Sequence, residues 1–157
     1  LMNMKGGFTL ASVADALREQ ETAFTQMAVD LNYLIEEFVE AYNEKNVAAE
    51  KAYKAAIELG PNDADAYLAL GGYYIDRGAE YFNKAQETMD DAEWERLIGE
   101  YNKELIKSLE PLEKFMEIAD EARKQDVAPT LRQVYFQLRN LDPAYQEKFD
   151  YYKQMTE

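Results

Sequence analysis

The chain has 157 residues, of which 47% are apolar and 31% charged, and its formal net charge is −14. This composition predicts one folded domain, and the negative charge argues against nucleic acid and anionic membrane surfaces, both of which attract clustered Lys and Arg. The sequence has no Cys and no His, which excludes disulfides, thiol nucleophiles, Cys/His zinc sites and the usual general base at neutral pH.

The beginning of the sequence carries no recognisable targeting signal. Residues 1–7 lack the apolar core of a signal peptide, and the chain starts with Leu rather than Met. We therefore interpret it as a fragment or a processed chain, with any targeting segment upstream. No stretch approaches the 18 uninterrupted apolar residues that a bilayer span requires, so membrane insertion is not expected.

Apolar side chains recur at spacings of three and four residues through the first third of the chain, which is the period of an amphipathic α-helix. They are Leu10, Val13, Ala14, Leu17, Phe24, Met27, Ala28, Leu31, Ile35, Phe38 and Tyr42. The pair Gly6-Gly7 and then Thr9 predict that this helix begins near Leu10.

Two arrangements of this N-terminal region fit its pattern. Tyr42-Asn43 is echoed by Tyr101-Asn102, 59 residues later, which favours two helices over 10–29 and 32–59 with a turn near Asp30. The apolar stripe crosses that turn without a break, so a single long helix fits equally well.

Capping signals divide the rest of the chain into helices. Pro61 ends one helix, and the acids that follow it suit the start of the next, which runs from Asp63 to about Thr88. A capping box at 90–93 predicts a return helix from Asp91 to about Arg123.

A last helix begins at Asp142-Pro143, where a capping residue precedes a proline. No segment alternates with the period of two that a strand requires. The sequence thus predicts an all-α fold of about six helices, two of them with long extensions.

One motif in the middle of the chain is more specific than helical periodicity. It reads Ala49-x3-Tyr53-x2-Ala56-x4-Pro61, then Tyr67-x2-Leu70-Gly71-x2-Tyr74. This pattern resembles the end of one tetratricopeptide (TPR) repeat and the start of the next. Its small residues allow antiparallel helices to approach closely, and its tyrosine rings fill the gaps between hairpins.

The resemblance implies a TPR-like superhelix of antiparallel hairpins. It predicts a single domain over 1–157 with its best repeat match over 49–78, an extended hairpin over 63–123 and a degenerate repeat over 126–157. The late string Ser108-x3-Leu112-x2-Phe115 continues the pattern, as does Leu131-x3-Tyr135, although Arg132 stands where Gly71 stood.

TPR proteins bind other proteins rather than catalyse reactions, and their concave face is lined by the first helix of each hairpin. By resemblance, the concave face of this chain consists of Asp65, Leu68, Ala69, Gly72, Ile75, Asp76, Gln133, Phe136 and Gln137. Such a face suits a protein or peptide segment that carries Lys or Arg and an apolar anchor. No metal or cofactor is expected, because the acidic clusters lack the spacing and glycine of a calcium loop and no His is present for a di-metal helix site. The resemblance points to bacterial proteins, including those exported to the periplasm or cell envelope.

Two other classes of function are weighed against this one. A self-assembly module would use a coiled-coil-like stripe of Phe24, Leu31, Ile35 and Phe38 to form a homo-oligomer. An enzyme is disfavoured because His, Cys and a phosphate-binding glycine loop are missing.

Several single residues have simple structural interpretations. Tyr53, Tyr67, Tyr74, Tyr101 and Tyr135 are expected to pack in the core. Trp94 is expected to pack at the tip of the long hairpin, with an exposed binding residue as the alternative. Pro111 is expected to bend or break the return helix.

Overall fold

The computed structural model describes residues 9–157 and confirms the all-α prediction. Its five helices are α1 (Leu10–Leu59), α2 (Ala64–Glu87), α3 (Asp91–Ile118), α4 (Glu121–Leu138) and α5 (Pro143–Met155). The described residues contain no β-strand. The predicted start signal at Gly6-Gly7 lies outside the described residues, but α1 begins at Leu10 as expected.

The prediction of six helices is wrong, because α1 continues through Asp30. Neither proline nor glycine occurs between Leu10 and Leu59. Each backbone N–H can therefore bond to the carbonyl four residues earlier, and nothing local favours a turn. Of the two arrangements considered for this region, the structure has the single long helix.

The chain divides into two compact units, the first ending at Ala48 and the second running from Ala49 to Glu157. The described part of the first unit is Thr9 and the helix that follows it. Thr9 caps this helix reciprocally with Ser12: the Ser12 amide donates to Thr9 Oγ1 at 3.1 Å, and the Thr9 amide donates to Ser12 Oγ at 2.9 Å. The second unit begins at the residue where the repeat-like motif begins, and the prediction of one repeat domain over 1–157 stays a prediction.

Four helices, α2 to α5, start within the second unit, and each begins after a capping aspartate. The side chain at each of these positions accepts a hydrogen bond from a backbone amide of the first turn, and the four residues are Asp63, Asp90, Asp120 and Asp142. This satisfies one of the amides that a helix start leaves unpaired.

The cap at Asp120 corrects the predicted end of the return helix. Its carboxylate accepts from the Arg123 amide at 3.0 Å, so a new helix starts where the sequence analysis expected α3 to continue to about Arg123. Helix α3 ends at Ile118 instead. It continues through Pro111, which is buried, and α4 continues through Pro129.

The hydrophobic core of the second unit lies between α3, α4 and α5, with α2 packed along α3. Phe115, Leu131 and Leu138 are completely buried in it. The crossing of α2 and α3 depends on Gly71: a Cβ atom at this position would lie 2.6 Å from Leu112 Cγ and Cδ2. Only glycine allows this approach without displacing the buried leucine.

Candidate functional site

An open, mainly apolar pocket with a volume of about 330 Å³ lies between α2, α3 and α4. Its lining is mainly apolar and consists of Ile75, Tyr101, Leu105, Pro129, Thr130, Gln133 and Val134. A concave apolar site with a few polar groups is the usual form of a binding pocket. We call it the α2–α4 pocket.

The packing of the long hairpin creates the floor of this pocket. Ile75 lies one helical turn after Gly71 on α2, where the close crossing with α3 places it beside Tyr101 and Leu105. Burial raises the pKa of the Tyr101 hydroxyl, and its ring packs on Phe82 with centroids 5.3 Å apart.

Helix α4 supplies the opposite wall. Val134 is buried, whereas Thr130 and Gln133 are exposed and carry the polar side chains of this wall. Pro129, also on this wall, has no backbone N–H, so the wall presents apolar ring atoms there. The site can hold an apolar group while offering hydrogen bonds at its mouth.

The structure brings together two of the residues predicted for the concave face from different repeats. Ile75 of α2 and Gln133 of α4 line the same pocket. Leu68 is half-buried and packs on the core, and Ala69 is half-buried. Gly72 faces open space, because a Cβ atom there would meet nothing within 4 Å.

The other predicted face residues lie elsewhere. Asp65 forms an ion pair with Arg123 of α4, while Asp76 is exposed next to Ile75. Gln137 donates from Nε2 to Asn102 Oδ1 at 3.2 Å.

Phe136, also predicted for the concave face, packs instead toward α5. Its ring lies 5.5 Å from that of Phe149, and the Arg139 guanidinium sits 3.6 Å from its centroid. This residue therefore belongs to the contact between α4 and α5, not to the pocket.

The repeat-like motif is only partly buried. Leu70, Gly71 and Tyr74 are buried, and the Tyr67 hydroxyl donates to the carbonyl of Pro61 at 2.9 Å. Ala56, which was expected at a close helix crossing, is exposed, and Ala49 is half-buried.

Tyrosine rings connect the end of α1 to α2 within the second unit. Tyr53 packs on Tyr73 with centroids 5.8 Å apart. The Tyr74 hydroxyl donates to Glu50 Oε1 at 2.8 Å. Burial and this hydrogen bond raise the pKa of Tyr74 to about 12, while bonds from Lys54 and Tyr74 lower the pKa of Glu50.

Sequence reasoning missed a polar cluster around Glu113. Its two carboxylate oxygens accept from the hydroxyls of Tyr135 at 2.6 Å and Tyr152 at 2.8 Å, and Lys148 Nζ lies 3.1 Å from Oε1. Burial, followed by the bond to Glu113, raises the pKa of each tyrosine. The cluster links α3, α4 and α5 through hydrogen bonds and an ion pair, and no local sequence pattern predicts it.

A second unexpected acid, Glu104, is 4% exposed in the interface between α2 and α3. Its carboxylate lies 2.9 Å from Lys107 Nζ and 3.5 Å from Arg77 Nε. Here the sequence did hold a signal, since Glu104 lies one turn before Ser108 on the buried stripe of α3. A buried acid on such a stripe is stabilised by nearby cations, here the exposed Lys107 and the half-buried Arg77.

The hairpin tip is more exposed than the packing interpretation of Trp94 expected. Trp94 is 43% exposed, and Met89 is fully exposed in the loop before α3. Across residues 9–157, no helix combines the length and apolar character of a membrane span. In the same part of the chain, no three acidic side chains gather as a metal site would require.

Comparisons with protein families, with curated proteins and with solved structures found no match to this chain.

Proposed function

We propose that this chain is a TPR-like, non-catalytic scaffold that binds a protein or peptide segment in the α2–α4 pocket. The single observation that supports it is the pairing of Ile75 and Gln133 in one apolar pocket, since both were assigned to a binding face from sequence resemblance alone. The proposal includes membership of the TPR class. Two observations support it: the motif around Gly71, and the close approach of α2 to α3 where Gly71 meets Leu112.

The chemistry of the pocket defines the segment it suits. The pocket has room for one apolar side chain, which packs against Ile75 and Leu105. Asp76, which is exposed and follows Ile75 in the chain, favours a Lys or Arg next to that side chain. The net charge of −14 attracts basic segments over a longer range.

Selection from a displayed library of random peptides tests this function. We expect the native chain to enrich peptides with one large apolar residue flanked by Lys or Arg. Gln133→Trp should abolish enrichment, because an exposed residue at the pocket mouth then fills the pocket with its own ring. The matched control is Gln125→Trp, on an exposed position of the same helix outside the pocket.

A charge variant tests the basic flank separately. Asp76→Lys should shift enrichment away from Lys and Arg, whereas Glu95→Lys, at an exposed position of α3, should leave it unchanged. Asp65 stays native in this experiment, since its ion pair with Arg123 also supports the fold. No enrichment by the native chain, or equal behaviour of Gln133→Trp and Gln125→Trp, would refute the pocket as a binding site.

A further inference from the structure

The first unit carries a seam that repeats every seven residues and is apolar at nine of its ten positions, Gln20 being the exception. Leu10, Leu17, Phe24, Leu31 and Phe38 lie seven residues apart, and a second row lies three residues after each, with Val13, Gln20, Met27, Leu34 and Ala41. We call these ten positions the heptad seam. Strict spacing of seven, rather than 7.2, is the mark of helices that supercoil around a partner of the same period.

The heptad seam is uncovered. Of the 50 residues that the structure describes in α1, none is buried. Phe24 is 61% and Phe38 is 70% exposed. Isolated exposed apolar residues are common on proteins, but a continuous seam about 48 Å long, at 1.5 Å per residue over positions 10–41, marks an interaction surface.

We propose that residues 10–41 pair antiparallel with the same residues of a second copy of this chain. In this alignment Phe24 faces Met27 of the second copy, Leu17 faces Leu34, and Phe38 faces Val13. Each aromatic ring thus meets a smaller or unbranched side chain, and the one polar residue of the seam, Gln20, faces Leu31. A second copy also has the matching seven-residue period, which a partner helix must have.

The charges beside the heptad seam select the antiparallel direction. Residues 30–44 contain five acids and no base, whereas residues 10–29 contain three acids and Arg18. A parallel pair would bring both acid-rich halves together. The antiparallel pair instead places Asp30 against Ala23 and Glu37 against Ala16 of the second copy, so no acid faces an acid across the seam.

The area of the heptad seam is sufficient for a stable dimer. Its eight large apolar side chains would each lose on the order of 80 Å² from water. Two copies would therefore bury on the order of 1,300 Å² of apolar surface, within the range of about 1,200–2,000 Å² of specific interfaces.

The mass of the full chain in solution, measured by sedimentation between about 1 and 100 µM, tests the dimer. We expect a dimer of the 18.1 kDa chain that becomes monomeric in Phe24→Glu, because the substitution places two carboxylates near the centre of the seam. Val29→Glu is the matched control: Val29 is 56% exposed but lies on the opposite face of the helix. It should remain dimeric.

Disulfide cross-linking tests the relative direction of the two paired helices. Because the native chain has no Cys, only the introduced cysteines can form disulfides. A chain with Leu17→Cys is mixed with a chain with Leu34→Cys and oxidised. The antiparallel pair should give the mixed disulfide, whereas a parallel pair would join each variant only to itself. The proposal would be overturned if the native chain were monomeric at 100 µM or formed an assembly larger than a dimer. It would also be overturned if Phe24→Glu and Val29→Glu had equal effects, or if oxidation gave only disulfides between identical variants.

This inference is independent of the peptide-binding proposal. Phe24→Glu leaves every residue of the α2–α4 pocket unchanged, so it should still select peptides as the native chain does. Gln133→Trp should in turn remain a dimer.

Discussion

At the scale of single residues, Gly71 has the best-defined role in the fold. We expect Gly71→Ala to lower the free energy of unfolding by up to about 2 kcal/mol, because overpacking against Leu112 costs about 1–3 kcal/mol and better helix propensity returns about 1 kcal/mol. Urea unfolding followed by circular dichroism measures the change.

Gly72 provides the control for this prediction on the neighbouring residue of α2. A Cβ atom there meets nothing within 4 Å, so Gly72→Ala should raise the free energy of unfolding by about 0.5–1 kcal/mol. If both substitutions stabilise the protein equally, the close crossing of α2 and α3 at Gly71 is not required.

At the scale of helices, the capping aspartates determine where each helix begins. Asp120 is decisive because only Ala119 and Asp120 separate α3 from α4. We expect Asp120→Ala to destabilise the protein by about 1 kcal/mol, since it removes the acceptor of the Arg123 amide. Asp120→Asn should cost much less, because asparagine caps almost as well, and thermal unfolding compares the two.

A further control separates capping from charge. Asp126 is an exposed acid of the same helix, and Asp126→Ala removes one negative charge without touching the cap. A loss of stability as large as that of Asp120→Ala would show that charge, and not the cap, is responsible.

At the scale of the whole molecule, buried tyrosines predict a limit to stability at high pH. The pKa of Tyr74 is raised to about 12, and those of Tyr135 and Tyr152 are raised as well. A raised pKa in the folded state means that the unfolded chain loses the proton first, near pH 10. The stabilisation is therefore complete below pH 10 and is lost as pH rises through the folded pKa.

We expect the free energy of unfolding to fall above pH 10, with each tyrosine contributing a slope of at most about 1.4 kcal/mol per pH unit. Denaturant unfolding from pH 8 to 11.5 measures the slope, and absorbance at 295 nm follows ionisation of the 12 tyrosines. Tyr74→Phe should have a shallower slope than the native chain. A slope unchanged by Tyr74→Phe, or ionisation of every tyrosine near pH 10 in the folded protein, would contradict the prediction.

Much of the second unit could be predicted from the sequence. The break at Pro61, the extent of α2, the start of α3 near Asp91 and the last helix at Pro143 were all predicted, because each depends on capping and proline chemistry within a few residues. The turn near Asp30, one of the two arrangements considered for the N-terminal region, does not occur. It was inferred from a similarity to a segment 59 residues away, whereas the local sequence has no proline or glycine to end the helix.

The residues predicted for the concave face differ in where the structure places them. Ile75 and Gln133 were assigned to one face by resemblance and do line one pocket, whereas Phe136 packs on Phe149 instead. Helical periodicity says which residues share a face, but not which neighbouring helix that face meets.

The sequence by itself determined the helical class and the capped starts of α2, α3 and α5, because these follow from backbone chemistry over one or two turns. Only the tertiary structure decided that Glu113 of α3 accepts from Tyr135 and Tyr152, and that α2, α3 and α4 enclose a pocket. These features join residues 22 to 59 positions apart, and their geometry depends on how whole helices pack against one another.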